Sequence, residues 1–487
     1  MSLTEQLRAW LDDDARMGSV DRAWLRMEDP ANLMVVNALL LLAEPLPRAE
    51  LAELVAARLV WIRRMRLRVR PGWLWHRWDE RELELDAHVI EHRLPAPGGE
   101  AELQALASRL ISAPLPPDRP LWQLHVIQGY RAAEAPDSPD SRVRSVILAR
   151  VHHSVGDGLA LLLVLLSLTD VDREAAPRNP LQRLFDRDAD THEVVARARE
   201  FLDEVMPTGT KLMLFRDREA EGAAPRSTWA SAARTARVAG AVGRDLASLL
   251  LRRPDSPTVF RGPLDVAKRV AWSRAIPLAW LRERSHTLDS TINDVLLAAM
   301  TGGLRRYILA RGEAPDGVEM RAAVPINLRR LAELGRLGNR FGLVFLTLPV
   351  GIADPRERLA EIHRRMDALK HSVEPLVTWG ILELMGGSPK LVERLILDYF
   401  AKRVSFVMTN VPGPERRLYL AGRELTGLMF WVPQSGRVGL GVSMFSYAGT
   451  VRLGIACDAH LVPDPDVLVA SFHAELDDLC GDPAARA

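Results

Sequence analysis

The stretch from Val143 to Leu168 limits most strongly what this chain can fold into. Its first part, Val143–His153, has the composition of a β-strand, and Leu159–Leu168 is apolar on every side of a helix. A helix without a polar face has to be buried, so other elements must enclose it. The chain has 487 residues, of which 48% are apolar and 26% charged. This is enough for a large core and for two or more domains of roughly 100–200 residues.

Strand and helix patterns alternate in both halves of the sequence, which predicts a mixed α/β fold. We predict an N-terminal subdomain over residues 1–180, a helical linker over 181–264 and a C-terminal subdomain over 265–487. Prolines and polar residues at both ends of the linker mark its limits. The predicted strands are Leu33–Leu42, Arg66–Val69, Trp73–Trp78, Leu121–Gln128, Val143–His153, Val270–Ala275, Met320–Val324, Leu343–Leu348, Val404–Met408, Gly427–Val432, Gly439–Phe445 and Val451–Ala456. The predicted helices are Arg48–Trp61, Glu102–Ile111, Leu159–Leu168, Val194–Val205, Trp229–Leu251, Leu278–His286, Asp294–Leu309, Arg356–Leu369, Leu391–Phe400 and Asp464–Leu479.

Charge, cysteine content and apolar run length exclude several classes of protein. A net charge of +1 gives no overall basic field, so we expect no nucleic-acid partner. The two cysteines form no CxxC pair, and Cys457 lies in an apolar run, which argues against a thiol nucleophile. No signal peptide is apparent, and the longest apolar runs, Leu33–Ala43 and Leu159–Leu166, fall short of the roughly 20 residues of a membrane span. We therefore expect a cytoplasmic protein, with peripheral membrane contact left open.

The run His152-His153-Ser154-Val155-Gly156-Asp157-Gly158 carries the clearest chemical signal. Successive strand residues point to opposite faces, so the two histidines should diverge and not act as a pair. Neutral imidazole accepts a proton near pH 7, and His153 at a strand end is well placed to face a cleft. Asp157 is placed to cap the following helix, and Gly158 removes a side chain where a ligand could approach the backbone.

Simpler interpretations of this run stay open. A histidine at a strand end is commonly structural, and Asp-Gly before an apolar helix is commonly only a cap. Metal binding by His152, His153 and Asp157 fits their composition, but neighbouring strand residues diverge and no further ligand is apparent.

Several blocks along the chain, taken together with this run, resemble the bacterial wax ester synthase/diacylglycerol acyltransferase family. This family belongs to the CoA-dependent acyltransferase superfamily, whose signature is HHxxxDG. The blocks occur in order over nearly the whole chain, which makes their combination more specific than any one of them. They are Asp21–Glu28, Leu94–Gly98, Pro120-Leu121-Trp122, Ser290–Val295, Val324–Asn327, Gly338–Gly342, Thr409–Pro414 and Ser446–Gly449, with Gly454 and Asp458 after the last.

The resemblance implies two chloramphenicol-acetyltransferase-like subdomains, joined by a helical bridge, with a substrate tunnel between them. It implies transfer of a long-chain acyl group from acyl-CoA to a diacylglycerol or long-chain alcohol, giving triacylglycerol or wax ester. Acyl-CoA is then a co-substrate, with no metal and no permanently bound cofactor. The implied catalytic residues are His153 as general base, His152, Asp157 and Asn293. The implied substrate-binding residues are Gly158, Asp294, Asn339, Asn410 and Pro412.

The acceptor, the assembly and the membrane contact are left open by the sequence. An enzyme of the same fold could acylate a polyketide, a sugar or an amine, and a catalytically silent relative could only bind lipid. The implied setting is the surface of a membrane or lipid body, for a monomer or a homodimer. In the linker, Trp229, Leu246 and Leu249–Leu251 beside arginines suggest an interfacial face, although packing of this face on the protein is the favoured interpretation. Likewise Ser290 or Thr291 can be simply a helix cap, with Asp294 in the first turn.

Overall fold

A computed structural model describes residues 16–481, apart from 73–75, 133–142, 175–195, 197–242, 250, 330–332, 334–336, 371 and 435. Most of the predicted linker therefore lies outside the described residues, as do the N-terminal end, the predicted helix Val194–Val205, Trp229 and Leu250. In the described chain, no helix is long and apolar enough to cross a membrane.

The first sheet has six strands and carries the His152-His153 run. Its strands in spatial order are β12 (Tyr419–Leu420), β13 (Arg423–Trp431), β1 (Val35–Leu42), β6 (Arg144–His152), β5 (Trp122–Tyr130) and β4 (Val89–Arg93). All neighbours are antiparallel except β4 and β5, which are parallel. A separate hairpin joins β2 (Leu67–Arg70) to β3 (Arg77–Glu80), so its second strand lies later than predicted.

Both faces of the six-stranded sheet are buried, and the alternation of β6 decides what each face contacts. Ile147 and Ala149 belong to one apolar cluster, together with α2 (Arg48–Arg58) and α4 (Gly158–Leu166). Val146 and Leu148 belong to another, together with α3 (Glu100–Ile111). The predicted two-face pattern of this strand is therefore confirmed, and α4 is buried as its composition predicted.

The second sheet has seven strands and forms the core of the C-terminal half. In spatial order these are β10 (Phe341–Leu348), β9 (Met320–Asn327), β11 (Phe406–Pro412), β14 (Leu440–Tyr447), β15 (Thr450–Asp458) and β7 (Lys268–Trp272), with β8 (Ile276–Pro277) beside β15. The helices of this half are α5 (Leu278–Thr287), α6 (Ile292–Ala310), α7 (Pro355–Lys370), α8 (Glu374–Gly387), α9 (Lys390–Ala401) and α10 (Pro465–Cys480).

The predicted mixed α/β architecture of two units is confirmed, but the two units share strands. Strands β12 and β13 follow the second sheet's β11 in the chain, yet they pair within the first sheet beside β1. Pairing between distant parts of the chain leaves no local signal in the sequence. The domain limits at 180, 264 and 265 stay predictions.

The elements that were not predicted from the sequence include the first helix, α1 (Ser19–Met27), the edge strand β4 and helix α8. Strand β4 is short and carries charged residues on its exposed face, so its pattern is weak. Helix α8 contains three glycines, which lower helix propensity and conceal its periodicity.

Two glycines let α8 lie directly against its neighbours. A Cβ atom added at Gly342 of β10 would overlap the Pro375 carbonyl, and one added at Gly386 would overlap the Ser19 carbonyl at the start of α1. Helix α8 is thus held between β10 and α1 by backbone-to-backbone contact. A cluster of buried side chains that includes Trp24, Phe341, Leu382 and Met385 fills the space around it.

We predict that Gly386→Ala lowers the free energy of unfolding by about 1–3 kcal/mol, because the added methyl group must push α1 away from α8. The matched control is Gly380→Ala in the same helix, where an added Cβ meets nothing within 4 Å. Alanine there should leave stability unchanged or raise it by about 0.5–1 kcal/mol. Urea unfolding of both variants measures the difference, and equal stabilities would contradict the close packing.

Candidate active site

His153 lies immediately after β6, where the chain turns towards α4. Its backbone N–H donates to the Met34 carbonyl at 2.7 Å, which ties the turn to the start of β1. The residue is 8% exposed, so its imidazole is enclosed but not sealed from solvent. The strand end therefore fixes the backbone of the predicted base.

Asn339 fixes which ring nitrogen of His153 carries the proton. The Asn339 Nδ2 group donates to the His153 carbonyl at 2.7 Å and to Asp21 Oδ1 at 2.9 Å. Both partners are acceptors in these contacts, so this end of the amide is the NH₂ group and the other end is its oxygen. That oxygen lies 2.8 Å from His153 Nδ1. The Nδ1 atom must then donate, which leaves Nε2 of the neutral ring with a free lone pair.

Asp21 on α1 anchors Asn339. Its Oδ1 atom accepts both the backbone N–H of Asn339 at 3.0 Å and the side-chain NH₂. Its Oδ2 atom accepts from Arg64 at 3.2 Å. Burial raises the pKa of Asp21 above its ordinary value, against the opposing effects of Arg64 and Asn339. A chain of hydrogen bonds thus runs from the imidazole through an amide to a buried carboxyl group.

Aromatic rings enclose the imidazole. Trp24 of α1 stacks on His153 with ring centroids 4.2 Å apart and an interplanar angle of 17°, and Phe341 lies at 5.4 Å. Burial lowers the pKa of His153 to about 4, although the Asp157 carboxylate and the Asn339 hydrogen bond act in the opposite direction. The ring is therefore neutral near pH 7 and able to accept a proton.

Asp157 joins the histidine loop to the C-terminal half. Its Oδ1 atom accepts from the Ala160 N–H at 2.9 Å and so caps α4, as predicted. Its Oδ2 atom accepts from the Arg329 guanidinium at 2.7 Å and from the Arg340 N–H at 3.0 Å. Arg329 and Asp157 are both buried. The carboxylate is thus occupied within the fold, next to the residue that contacts His153.

His152 points away from His153, as the strand alternation predicted. Its Nδ1 atom accepts the Ser154 backbone N–H at 3.0 Å, and Nε2 lies 3.0 Å from the Glu28 carboxylate. Burial alone would raise the pKa of Glu28, but the contacts with His152 and Met34 bring it below its ordinary value. Both ring nitrogens of His152 are used within the fold, so it connects β6 to the end of α1. Across the described residues, no three His, Cys, Asp or Glu side chains are grouped to hold a metal ion.

Gly158 leaves open space at the start of α4. A Cβ atom added there meets no atom within 4 Å, so packing does not require glycine at this position. The residue is exposed, while its neighbours Asp157 and Leu159 are buried.

The remaining predicted residues form a second group in the C-terminal half. Asn410 of β11 donates to Asn293 Oδ1 at 2.8 Å, and Pro412 ends the same strand. Asp294 forms a capping box with Thr291 and also contacts His363, so its carboxylate is occupied. Among the described residues, no hydrogen bond joins this group to His153.

An apolar cleft, open to solvent at its mouth, lies beside Trp24. Trp24 and Met27 of α1 form one wall. The other walls come from β9, β10, α8, α9 and the segments after α9 and β13. Their side chains are Ala323, Leu343, Phe345, Thr378, Ile381, Leu382, Met385, Leu397, Phe400, Ala401, Val404 and Val438. One indole therefore touches both the imidazole and the cleft.

Three residues around the base were not predicted as site residues, although each lies in a sequence block shared with the family. Trp24 and Phe341 contact the imidazole, and Asp21 contacts Asn339. Asp21 and Trp24 are three residues apart and so share a face of α1. Phe341 follows two residues after Asn339 in the sequence. Helical spacing could have paired Asp21 with Trp24, but nothing local indicates that α1 meets His153.

Both cysteines are buried and unpaired. Burial raises the pKa of Cys480 to about 11 and that of Cys457 further still, which favours the unreactive thiol.

Comparisons with known proteins agree with the resemblance found in the sequence. The family model described as "Wax ester synthase/diacylglycerol acyltransferase catalytic domain" matches residues 17–296, and that of the "WS/DGAT C-terminal domain" matches residues 337–480. A Mycobacterium tuberculosis protein named as a probable diacylglycerol O-acyltransferase is 28% identical over 470 residues, covering 92% of this chain and 91% of the relative.

Solved structures share the fold. A wax ester synthase/diacylglycerol acyltransferase from Marinobacter aquaeolei is similar with a TM-score of 0.65 and 20% identity, covering 95% of this chain and 98% of that one. A starter condensation domain of rhizomide synthetase, solved with C8-CoA, is similar with a TM-score of 0.53 and 13% identity, covering 98% of this chain and 97% of that one. The expected two-unit acyltransferase fold is confirmed.

We predict that His153 makes stability depend on pH. Its pKa is about 4 in the fold against 6.5 for the free side chain. The contribution of the neutral imidazole to the free energy of unfolding is therefore complete above pH 6.5 and decreases as the pH falls towards 4. Replacing it by His153→Gln should therefore reduce the loss of unfolding free energy between pH 7 and 5 by about 2 kcal/mol. Urea unfolding at several pH values measures this, and parallel pH profiles would contradict a buried neutral imidazole.

Proposed function

Because the chain belongs to the wax ester synthase/diacylglycerol acyltransferase family, we propose that His153 is the general base of its acyl transfer. The enzyme is an acyltransferase that moves an acyl group to a diacylglycerol or long-chain alcohol. Acyl-CoA is the proposed donor. The observation that carries the proposal is the free Nε2 lone pair of an enclosed, neutral His153 beside an apolar cleft.

The proposed reaction moves one proton and exchanges one bond. His153 Nε2 takes the proton of the acceptor hydroxyl as its oxygen attacks the thioester carbonyl carbon. The C–S bond then breaks, and the CoA thiolate takes the proton back from the imidazolium. Asn339 holds the Nδ1 proton throughout, and the Asp157 carboxylate favours the transient positive charge. Atoms and charge balance without a covalent acyl-enzyme.

The tetrahedral intermediate requires hydrogen-bond donors for its oxyanion. Asn293 is the proposed side-chain donor. Its Oδ1 atom is held by Asn410, which leaves its NH₂ group as the end able to donate. Asn410 is thus proposed as a positioning residue, together with the turn that begins at Pro412. Gly158, where no side chain is needed for packing, is proposed to keep space free for substrate.

The apolar cleft is proposed to hold an acyl chain of one of the substrates. Its walls are almost wholly apolar. Burying a long alkyl chain against them would favour binding by about 0.8 kcal/mol per CH₂ group. The cleft lies between α1 and the C-terminal half, as expected for a site shared by both units.

Asp294 is proposed to act through the cap of α6, since its carboxylate is already occupied. The predicted tunnel, the cytoplasmic location and the choice between monomer and homodimer stay proposals.

We predict that Asn339→Ala lowers kcat by roughly 10²-fold or more, because His153 can then place its proton on Nε2 and no longer accept one there. The KM for acyl-CoA should change little, because the amide of Asn339, which the family resemblance implied to bind substrate, is occupied by His153 and Asp21. The matched control is Asn37→Ala, a buried asparagine of β1 whose NH₂ group donates to the Val35 carbonyl and whose oxygen accepts from Arg150. Steady-state kinetics measures both, and an equal fall in kcat for the two variants would contradict the positioning role.

The test of the function itself uses purified protein with palmitoyl-CoA and either hexadecanol or a diacylglycerol, following thiol release and the neutral lipid formed. We predict ester formation that falls by roughly 10²–10⁴-fold in His153→Ala. The exposed His286 offers a control, because His286→Ala should retain activity.

Each outcome of this assay has a defined meaning. Ester from wild type and its loss in His153→Ala support the mechanism, and the two acceptors rank the substrates. Thiol release without ester indicates hydrolysis or another acceptor, such as a polyketide, a sugar or an amine. Binding of acyl-CoA without turnover would support a lipid-binding protein and contradict the proposal.

A further inference from the structure

Three of the four most exposed large apolar side chains of the described residues lie close together in the sequence, in α8 and α9, and the fourth is Leu251 at the end of the linker. Leu251 is 82% exposed, Leu391 70%, Leu395 62% and Leu384 60%, and no other large apolar side chain in the described chain exceeds 51%. Isolated exposed leucines are ordinary, but a concentration of this kind marks an interaction surface.

The fold brings these four leucines to one region. Leu384 lies in the last turn of α8 and Leu391 in the first turn of α9, with only Ser388 and Pro389 between the helices. Leu391 and Leu395 are four residues apart, so they share one face of α9. We call the exposed side of α8, α9 and residues 243–249 and 251–253 the hairpin surface.

Hydrogen bonds attach the end of the linker to α9. The Tyr399 hydroxyl donates to the Leu249 carbonyl at 2.8 Å, and Arg403 Nε donates to the Arg252 carbonyl at 2.6 Å. Leu251 is therefore held beside the C-terminal end of α9. Leu249 itself is buried, so this part of the linker packs on the protein and exposes only some of its apolar residues.

The opposite sides of the same two helices line the apolar cleft. Leu382 and Met385 of α8 and Leu397 and Phe400 of α9 face it. The helix pair thus has one apolar side towards the cleft and another towards solvent. A surface helix normally has an apolar side only towards the protein interior.

Charge on the hairpin surface is strongly biased. Over the described residues of 243–253 and 383–402, one acidic residue is exposed, Glu383, and a second, Asp398, is half-exposed and pairs with Arg437. The exposed basic residues are Arg244, Arg253, Lys390, Arg394 and Lys402. Leucines flanked by lysine and arginine are the pattern of segments that lie in the interface of an anionic membrane. The same charge opposes contact between two copies of this surface, since like charges would face each other.

We infer that the hairpin surface docks on an anionic phospholipid surface and opens the apolar cleft towards it. A lipid substrate can then pass from the lipid phase along α8 and α9 without crossing water. The inference rests on the proposed function for the identity of the substrate, and on exposure, charge and the shared helices for the docking itself.

The test measures binding of the full chain to vesicles by flotation. Wild type should bind vesicles that contain phosphatidylglycerol more tightly than vesicles of phosphatidylcholine alone. Leu391→Ser with Leu395→Ser should reduce the partition coefficient by roughly tenfold. Lys390→Gln with Arg394→Gln should reduce binding to the anionic vesicles roughly fivefold for each charge removed, and change binding to neutral vesicles little.

A matched control replaces two exposed apolar residues elsewhere. Leu309 of α6 and Val467 of α10 are 51% and 42% exposed, and Leu309→Ser with Val467→Ser should bind like wild type. Circular dichroism checks that each variant is folded. Since all the side chains changed are exposed, folding should persist, and Leu384→Ser gives a second apolar test.

Several outcomes would overturn the inference. These are the absence of wild-type binding to anionic vesicles, unchanged binding of the leucine variant, or an equal loss in the control. A wild-type dimer that the leucine variant converts to a monomer, with vesicle binding retained, would assign the surface to a second copy instead.

Failure of the docking is separable from failure of the function. The leucine variant should retain wild-type turnover of a short, water-soluble acyl-CoA and alcohol, and lose turnover of vesicle-borne diacylglycerol. Vesicle binding without any turnover would contradict the proposed function alone. Turnover of vesicle-borne substrate by the leucine variant at the wild-type rate would contradict the docking alone.

Discussion

The buried carboxylate of Asp157 is the contact on which the rest of the site depends. It caps α4 through the Ala160 N–H, pairs with Arg329 and accepts the Arg340 N–H. The contacts with Arg329 and Arg340 hold the histidine loop of one half against the segment of the other half that carries Asn339. Loss of one partner would leave a buried charge uncompensated, at a cost of about 3–5 kcal/mol. The first and second sheets therefore keep a fixed relation at the position of the proposed base.

The surroundings of His153 favour the neutral imidazole with its proton on Nδ1. Burial against Trp24 and Phe341 keeps the ring neutral, and Asn339 keeps its proton on Nδ1. A low pKa makes the ring a weaker base, but it ensures that almost every molecule has the lone pair near pH 7. The nearby Asp157 carboxylate partly offsets that weakness, because it favours the protonated ring.

Strong local patterns in the sequence made much of the fold predictable. Strands β1, β5, β6 and β14 and the apolar helix α4 lie within a few residues of their predicted bounds. The divergence of His152 from His153 and the cap at Asp157 followed from strand alternation and helix-end preferences alone. Helix α8 escaped prediction because its three glycines weaken the helical pattern, and one of them, Gly386, permits the close contact with α1. Strands β12 and β13 could not be assigned to the first sheet, because their partner β1 is distant in the chain.

The sequence by itself determined the strand, the turn, the capped helix and the presence of a histidine at the strand end, because each depends on neighbours a few residues away. The sequence motifs shared with the family, which occur in the same order along the chain, indicated that the reaction is an acyl transfer. Only the tertiary structure decided the protonation state and tautomer of His153, because Asp21, Trp24 and Asn339 reach it from distant parts of the chain. It also decided the cleft and the hairpin surface, since both arise where α8 and α9 face the protein on one side and solvent on the other.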